Sequence, residues 1–148
     1  MTDRSRLHTF SIDATGDSAT KTTVSVRDFT FVVDEPPALG GDDAGPNPVE
    51  YLLGALAGCL NVVGYLVADE MEMTLGDLDI HIEGDLDPAA FQGADTDARA
   101  GYQEVRVDLD VDTDADAETL EQWLAAVEAR CPVSDNLGAA TPLSLSLR

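Results

Sequence analysis

The chain carries very little positive charge. Its 148 residues include 8 Lys and Arg against 29 Asp and Glu, for a formal net charge of −21, and Lys21 is its only lysine. Nucleic acid and anionic lipid attract proteins largely through positive charge, so both would repel this chain. We therefore expect no nucleic-acid partner and no membrane association.

Cysteine is equally scarce. The two cysteines, Cys59 and Cys131, stand 72 positions apart and are too few for the dense disulfide framework of a small secreted domain. The N-terminus also lacks the basic segment followed by an apolar stretch that a secretory signal requires. These two absences predict a cytoplasmic protein.

The apolar content is ordinary despite the acidity. A hydrophobic fraction of 44% in a chain of this length is typical of one domain with its own core, so we predict a single domain over residues 1–148. The carboxylates are dispersed, which favours a solvated surface adapted to a salt-rich, halophilic cytoplasm. In about 1 M salt the Debye length is about 3 Å, so self-repulsion is screened. An acidic partner-binding face is the alternative.

Alternating apolar and polar residues predict several β-strands. Only short connections join the strands that precede each predicted helix, which favours antiparallel pairing. The fold class that we predict is α+β, with a largely antiparallel sheet. The predicted strands cover residues 7–12, 22–33 (with a break at residues 27 and 28), 78–82, 104–111 and 143–147.

The longest apolar segment, residues 51–68, lies within residues 47–71, for which we predict a buried central helix. Asn47 is a suitable N-cap, Pro48 suits the first helical position, and Glu50 completes a capping box. The alternative is a membrane span, but its acidic flanks lack Lys and Arg on both sides. A second helix is predicted before Cys131, with an apolar stripe at Leu120, Trp123, Leu124 and Val127.

Cys59 lies inside the central helix, in the run G-A-L-A-G-C. Gly54 and Gly58 each cost about 1 kcal/mol relative to alanine in a helix interior, and small residues let another backbone or a substrate approach. One interpretation is a redox-active thiol. The other is a small core residue, because free cysteine is among the most buried residue types.

Cys131 precedes Pro132, so it is the predicted N-cap of a short helix. Exposed amides and the helix dipole would stabilise a thiolate there and lower its pKa, with Arg130 adjacent. In a pair of reactive thiols, a peroxide oxidises one to sulfenic acid and the other condenses with it to a disulfide, which an external dithiol then reduces. The alternative is that both thiols are structural.

Patterns for metal binding are missing. Cys59, Cys131, His8 and His81 lack the C-x-x-C or H-x-x-x-H spacing of zinc ligands. The Asp-rich residues 108–116 lack the glycine and terminal glutamate of an EF-hand loop. We therefore expect no metal and no bound cofactor.

Two motifs resemble the OsmC-like superfamily, which includes the organic hydroperoxide resistance proteins. They are N-P-V-E-Y-L-L-G-A-L-A-G-C-L at residues 47–60 and R-C-P-V-S-D-N-L at residues 130–137. The segments P-P-A-L-G-G and I-E-G-D-L-D strengthen the match. The resemblance implies an intertwined homodimer with active sites at the subunit interface, a peroxidatic Cys59 and a resolving Cys131.

The resemblance also implies that an Arg and a Glu orient and activate the attacking thiolate. In the peroxidases the glutamate directly follows Asn-Pro, but Val49 occupies that position here and Glu50 comes one residue later. At about 100° per residue, the nine steps from Glu50 to Cys59 place them on opposite helix faces. The candidate for this arginine is Arg27. The alternative is that Arg27 is only a solvated residue at a strand edge; Arg4 and Arg6 are also available.

Two functional hypotheses follow from these residues. The first is a thiol-dependent peroxidase that reduces organic hydroperoxides through Cys59 and Cys131. The second is a non-peroxidatic OsmC-like protein that binds a small apolar or thiol-bearing ligand at the dimer interface, and it is motivated by the displaced glutamate and the unassigned arginine.

Overall fold

Antiparallel hairpins alternate with helices along the chain. The computed structural model describes residues 4–147, excluding the side chain of Arg4, and divides the chain into two compact units that meet between Leu52 and Leu53. Each strand pair in the described residues is antiparallel, in one sheet of three strands and one of two. The predicted α+β class is confirmed, whereas a single domain over residues 1–148 stays a prediction.

The first unit contains the three-stranded sheet. Strands β1 (Asp13–Gly16), β2 (Thr22–Val26) and β3 (Phe29–Val33) pair in sequence order. The predicted break becomes a two-residue turn at Arg27 and Asp28, where Arg27 adopts a positive φ of 53°. Such turns match the right-handed twist of the strands that they join.

A loop rich in Gly and Pro follows β3 and folds around the carboxylate of Asp34. This carboxylate is fully buried, and it accepts hydrogen bonds from the backbone N–H groups of Glu35 at 2.8 Å, Asp42 at 3.2 Å and Ala44 at 3.1 Å. Gly41 lies so close to the Glu35 carbonyl that an added Cβ would come within 1.8 Å of its oxygen. Only glycine fits there, which accounts for part of the G-G-D-D-A-G sequence.

Helix α1 (Pro48–Glu70) begins in the first unit and continues through the second. Its predicted capping box is confirmed: the N–H of Glu50 donates to Asn47 Oδ1 at 2.9 Å, and the N–H of Asn47 donates to Glu50 Oε2 at 2.8 Å. Within the first unit, the Tyr51 hydroxyl donates to the Val32 carbonyl at 2.7 Å. These bonds fix where the helix begins.

The second unit packs the rest of α1 with the hairpin of β4 (Leu78–Leu86) and β5 (Tyr102–Val111) and with helices α2 (Ala117–Arg130) and α3 (Pro132–Gly138). Trp123 lies at the centre, 1% exposed, and its indole N–H donates to the Gly64 carbonyl at 2.8 Å. The other buried core residues are Leu56, Leu60, Val63, Val67, Ala68, Val127 and Cys131.

Three predictions about the fold need correction. Residues 7–12 and 143–147 are not strands in the structure, although β1 begins directly after the first segment. Alternation shows that a segment is amphipathic, but a strand also needs a neighbour to pair with. Helix α1 is buried on one face only: Val62 is 65% exposed and Leu66 is 47% exposed, because the described residues cover only its other face.

Helix α1 also bears on the membrane alternative. Among the residues that the structure covers, it is the one helix long and apolar enough to cross a bilayer by length and composition. The core helix of a soluble protein meets the same criteria.

Candidate functional site

The second unit brings the two cysteines together. Cys59 belongs to α1 and lies one turn from Leu56 and Val63 on the buried side of the helix, where it packs against the core that contains Cys131. Both thiols are free, and Cys59 lies close enough to Cys131 to raise the pKa of the Cys131 thiol. The pair that the sequence singled out is therefore a pair in space.

The two thiols differ in exposure. Cys59 is partly exposed, whereas Cys131 is 1% exposed. A small molecule that reaches this region therefore meets Cys59 first.

Cys131 occupies the corner where α2 ends and α3 begins. It is the C-cap of α2 and the N-cap of α3, and Sγ accepts from the backbone N–H of Ser134 at 3.4 Å. The predicted N-cap is confirmed. Pro132 follows at the first helical position, where its missing N–H removes no helical hydrogen bond.

The expected lowering of the Cys131 pKa is wrong. Burial raises the pKa of this thiol, and the neighbouring Cys59 thiol raises it further, while the N–H groups of Ser134 and Val133 act in the opposite direction. Desolvation disfavours the charged thiolate more than the helix N-terminus favours it. Cys131 is consequently held as a neutral thiol.

Arg130, adjacent to Cys131, is paired with a carboxylate. Its guanidinium makes a two-pronged ion pair with the carboxylate of Glu70 at the end of α1, and one of the two hydrogen bonds, from Nη2 to Oε1, measures 3.1 Å. This pair lowers the pKa of Glu70 and raises that of Arg130. Sequence reasoning missed Glu70, because no local pattern connects residues 60 positions apart.

The other two candidate residues have partners of their own in the first unit. Glu50 is exposed and forms the capping box with Asn47. Arg27 is exposed in the hairpin turn, with its guanidinium carbon 5.0 Å from the centre of the Phe29 ring. Neither contact involves a cysteine. Arg6 is also exposed, and the side chain of Arg4 lies outside the described residues.

Two of the three glycines of α1, Gly54 and Gly58, lie on its open side, whereas Gly64 faces the core. An added Cβ at Gly54 or Gly58 would meet nothing within 4 Å in the part of the chain that the structure describes. Close packing inside this chain therefore does not account for their cost in helix stability. No group of three or more His, Cys, Asp or Glu side chains among the described residues is arranged to hold a metal ion.

The sequence model of the family described as OsmC-like protein matches residues 40–146, which is more than half of the chain. The chain belongs to the OsmC-like family. Both cysteines of the pair lie inside the matched region. A comparison with curated proteins found no match.

Solved structures share the OsmC-like fold at low sequence identity. An OsmC-like protein from Mycoplasma pneumoniae is 20% identical, with a TM-score of 0.76 and 88% of each chain covered. An organic hydroperoxide resistance protein from Legionella pneumophila is 22% identical, with a TM-score of 0.64 and coverage of 88% of this chain and 90% of that one. One from Elizabethkingia anophelis is 20% identical, with a TM-score of 0.62 and 88% of each chain covered.

Proposed function

We propose that this OsmC-like protein reduces organic hydroperoxides, with Cys59 as the attacking thiol and Cys131 as the resolving thiol. The observation that carries the proposal is the pair of neighbouring free thiols, one partly exposed and one buried. The relatives named as organic hydroperoxide resistance proteins support the choice of substrate.

The reaction balances with an external dithiol and needs no bound cofactor. The Cys59 thiolate attacks the peroxide oxygen, the O–O bond breaks, and the alkoxide leaves and takes up a proton as an alcohol. Cys59 is now a sulfenic acid, and Cys131 displaces its hydroxyl as water while the S–S bond forms. A dithiol then reduces this disulfide and is itself oxidised to a disulfide.

The test is consumption of cumene hydroperoxide or tert-butyl hydroperoxide with dithiothreitol as reductant. We expect turnover in the wild type and none in Cys59→Ser. When peroxide is added without the reductant, we expect in Cys131→Ser a single oxidation of Cys59 that stops at sulfenic acid. Ser134→Ala is the matched control, because the backbone N–H that caps Cys131 is kept. Wild-type consumption no faster than that without protein would overturn the proposal.

A second candidate function is binding of a small apolar or thiol-bearing ligand without peroxidase chemistry. It is favoured by the ion pairs that three basic side chains form with carboxylates: Lys21 pairs with Asp42, Arg106 with Asp85, and Arg130 with Glu70. Thiolates are usually activated by a nearby positive charge. This function predicts slow thiols and a ligand retained through purification, detected by native mass spectrometry; rapid loss of titratable thiol with peroxide would contradict it.

We further propose an intertwined homodimer. Large apolar side chains are exposed at both ends of the chain, with Phe10 at 93% and Leu145 at 87%, and Val62 is exposed on α1 beside the open glycines. A second copy that covers these groups would remove apolar surface from water. Light scattering should give the dimer mass for the wild type and the monomer mass for Val62→Lys; a monomeric wild type at micromolar concentration would contradict this proposal.

The setting that we propose is a salt-rich cytoplasm, with no nucleic-acid or membrane partner. A charge of −21 repels itself at low ionic strength, and salt screens this repulsion. The melting temperature should therefore rise through a KCl series more than through a sucrose series. Equal responses to both solutes would contradict the salt adaptation.

A further inference from the structure

Helix α3 depends on the Cys131 sulfur at its N-terminus. The Sγ atom accepts from the backbone N–H of Ser134 at 3.4 Å and is the N-cap of the helix. The first N–H groups of a helix have no carbonyl partner within it, and a cap supplies an acceptor for one of them. The same sulfur is the atom that the proposed function joins to Cys59.

Helix α3 is held weakly by the rest of the second unit. It has seven residues, Pro132–Gly138, and none of these seven is fully buried. Val133 and Leu137 are only partly buried where they pack against the core. A helix this short is marginal in water, because few hydrogen bonds offset the cost of nucleating it. Loss of the cap should therefore loosen α3 while the longer α2 stays formed.

Formation of a disulfide would move the capping sulfur. Cys59 packs against the core that contains Cys131, and both thiols are free. Two bonded sulfurs lie much closer together than two thiols in contact, so the Sγ atoms must approach each other. Cys59 is held in the middle of the 23-residue α1, whereas Cys131 lies at a corner between two helices. We expect most of the movement at Cys131, away from the N–H of Ser134.

Reduction of the disulfide requires access to one of its two sulfurs. An attacking thiolate bonds to one sulfur and expels the other as a thiolate. Attack on the partly exposed Cys59 would expel Cys131 at a position that is 1% exposed, where burial disfavours a thiolate. Attack on Cys131 releases Cys59 instead, but the first turn of α3 and the core cover the Cys131 sulfur. The favourable route therefore requires an opening at α3.

We propose that α3 is a lid over Cys131 and that the Cys59–Cys131 disulfide loosens this lid by removing its N-cap, so that the dithiol reductant attacks Cys131. This inference rests on the proposed function for the disulfide and names the sulfur that is reduced. One thiolate of the reductant bonds to Cys131, the S–S bond breaks and Cys59 leaves as a thiolate. The second thiol of the reductant then displaces Cys131, which takes up a proton and caps α3 again.

Hydrogen–deuterium exchange of the disulfide form tests the lid. Diamide oxidises a pair of thiols to a disulfide and is itself reduced to a hydrazine, and the intact mass shows whether the bond has formed. We expect the amides of residues 132–138 to exchange about tenfold faster in the disulfide form than in the thiol form, with α2 as the unchanged reference. Unchanged exchange in residues 132–138, or a protein that forms no disulfide, would overturn the proposal.

Two substitutions separate the cap from the disulfide. Neither Cys131→Ser nor Cys131→Ala can form the bond, but serine keeps a capping oxygen and alanine does not. Residues 132–138 should exchange at the rate of the thiol form in Cys131→Ser and at the rate of the disulfide form in Cys131→Ala. Diamide should change neither rate. Equal exchange in the two variants would show that the cap does not hold α3 and would contradict the proposal.

A monothiol identifies the sulfur that is attacked. Glutathione is added to the disulfide form, free thiols are blocked immediately with N-ethylmaleimide, and peptide mass spectrometry locates the glutathione. We expect it mainly on Cys131, and no more glutathione on Cys131 than on Cys59 would refute the lid.

These experiments use a disulfide made without hydroperoxide, so their outcome is independent of the peroxidase assay. A protein that does not consume hydroperoxides would still loosen α3 on oxidation if the inference is correct. Conversely, an active peroxidase whose α3 exchanges equally in both forms would retain the proposed function and lose this inference.

Discussion

Asp34 in the first unit and Cys131 in the second are both buried ionisable groups, but only one of them is held in its charged form. Burial by itself raises the pKa of Asp34, yet backbone N–H groups of Ala44, Glu35 and Asp42 and a hydrogen bond from Thr20 leave that pKa below its ordinary value. Burial also raises the pKa of Cys131, and there the opposing hydrogen bonds do not prevail.

The difference lies in the donors that each backbone can supply. A loop can fold around a carboxylate and point several N–H groups at its two oxygens, which strongly stabilises the anion. A corner between two helices offers Cys131 the N–H of Ser134 at 3.4 Å and that of Val133, both directed at a weakly accepting sulfur, and places a second thiol beside it. Asp34 is therefore held as a structural anion, whereas Cys131 is a neutral thiol that can still ionise or react.

The largest expected effect comes from removing the core that buries Cys131. Trp123→Ala should lower the free energy of unfolding by about 3–5 kcal/mol, because it leaves a cavity at a position that is 1% exposed. Trp123→Phe is the control and should lose about 1 kcal/mol with the hydrogen bond to Gly64. Denaturant titration measures both free energies of unfolding. A decrease below about 1 kcal/mol in Trp123→Ala would mean that this core does not stabilise the second unit.

Asp34→Asn should produce the next largest decrease in the free energy of unfolding. The decrease should appear only at pH values at which Asp34 is ionised in the wild type. The folded pKa is lowered, so the stabilisation by the Asp34 anion is present above the ordinary carboxyl pKa of about 3.9 and is lost as the pH falls through the folded value. The variant should therefore unfold with a flatter acid dependence than the wild type. Asp28→Asn, in the exposed hairpin turn, is the control that should keep the wild-type dependence.

Cys131→Ser should have a smaller effect that appears at alkaline pH. The folded pKa is raised, so the stability contributed by the neutral thiol is present below the unfolded value of about 8.5 and is lost as the pH rises through the folded value. Serine is itself a good N-cap, so at neutral pH the variant should stay within about 1 kcal/mol of the wild type. Thermal unfolding at increasing pH measures the effect, and an undiminished alkaline loss in the variant would show that Cys131 does not cause it.

The smallest effect is expected at Glu50, a carboxylate that serves the helix cap in the first unit. Glu50→Gln keeps an acceptor for the Asn47 N–H, so stability should change by less than about 0.5 kcal/mol and hydroperoxide consumption should be unaffected. Asn47→Ala, which loses the cap, should cost about 1 kcal/mol. A large loss of turnover in Glu50→Gln alone would instead place Glu50 in the reaction.

Local patterns predicted much of the structure correctly. Asn47, Pro48 and Glu50 predicted the capping box, and the alternation in residues 78–82 and 104–111 predicted the strands that became β4 and β5. In each case the interacting residues are close in sequence or lie on a regular element. Residues 143–147 alternate just as clearly but form no strand, because their pattern does not specify a pairing neighbour.

The site was predictable only as far as the identity of its thiols. The resemblance to the family predicted that Cys59 and Cys131 act in one reaction, and the Cys-Pro order predicted the cap on α3. The sequence by itself thus determined the helix starts, the turn at Arg27 and the cysteine pair, because capping, turn and periodicity signals act over a few residues.

Only the tertiary structure decided the chemical state of that pair. The burial of Cys131 depends on a core built from α1, the hairpin and α2, and the Glu70–Arg130 ion pair joins residues 60 positions apart. Desolvation and charge pairing depend on distances in space, and no local pattern encodes those distances. For that reason the lower pKa expected for Cys131 became a higher one.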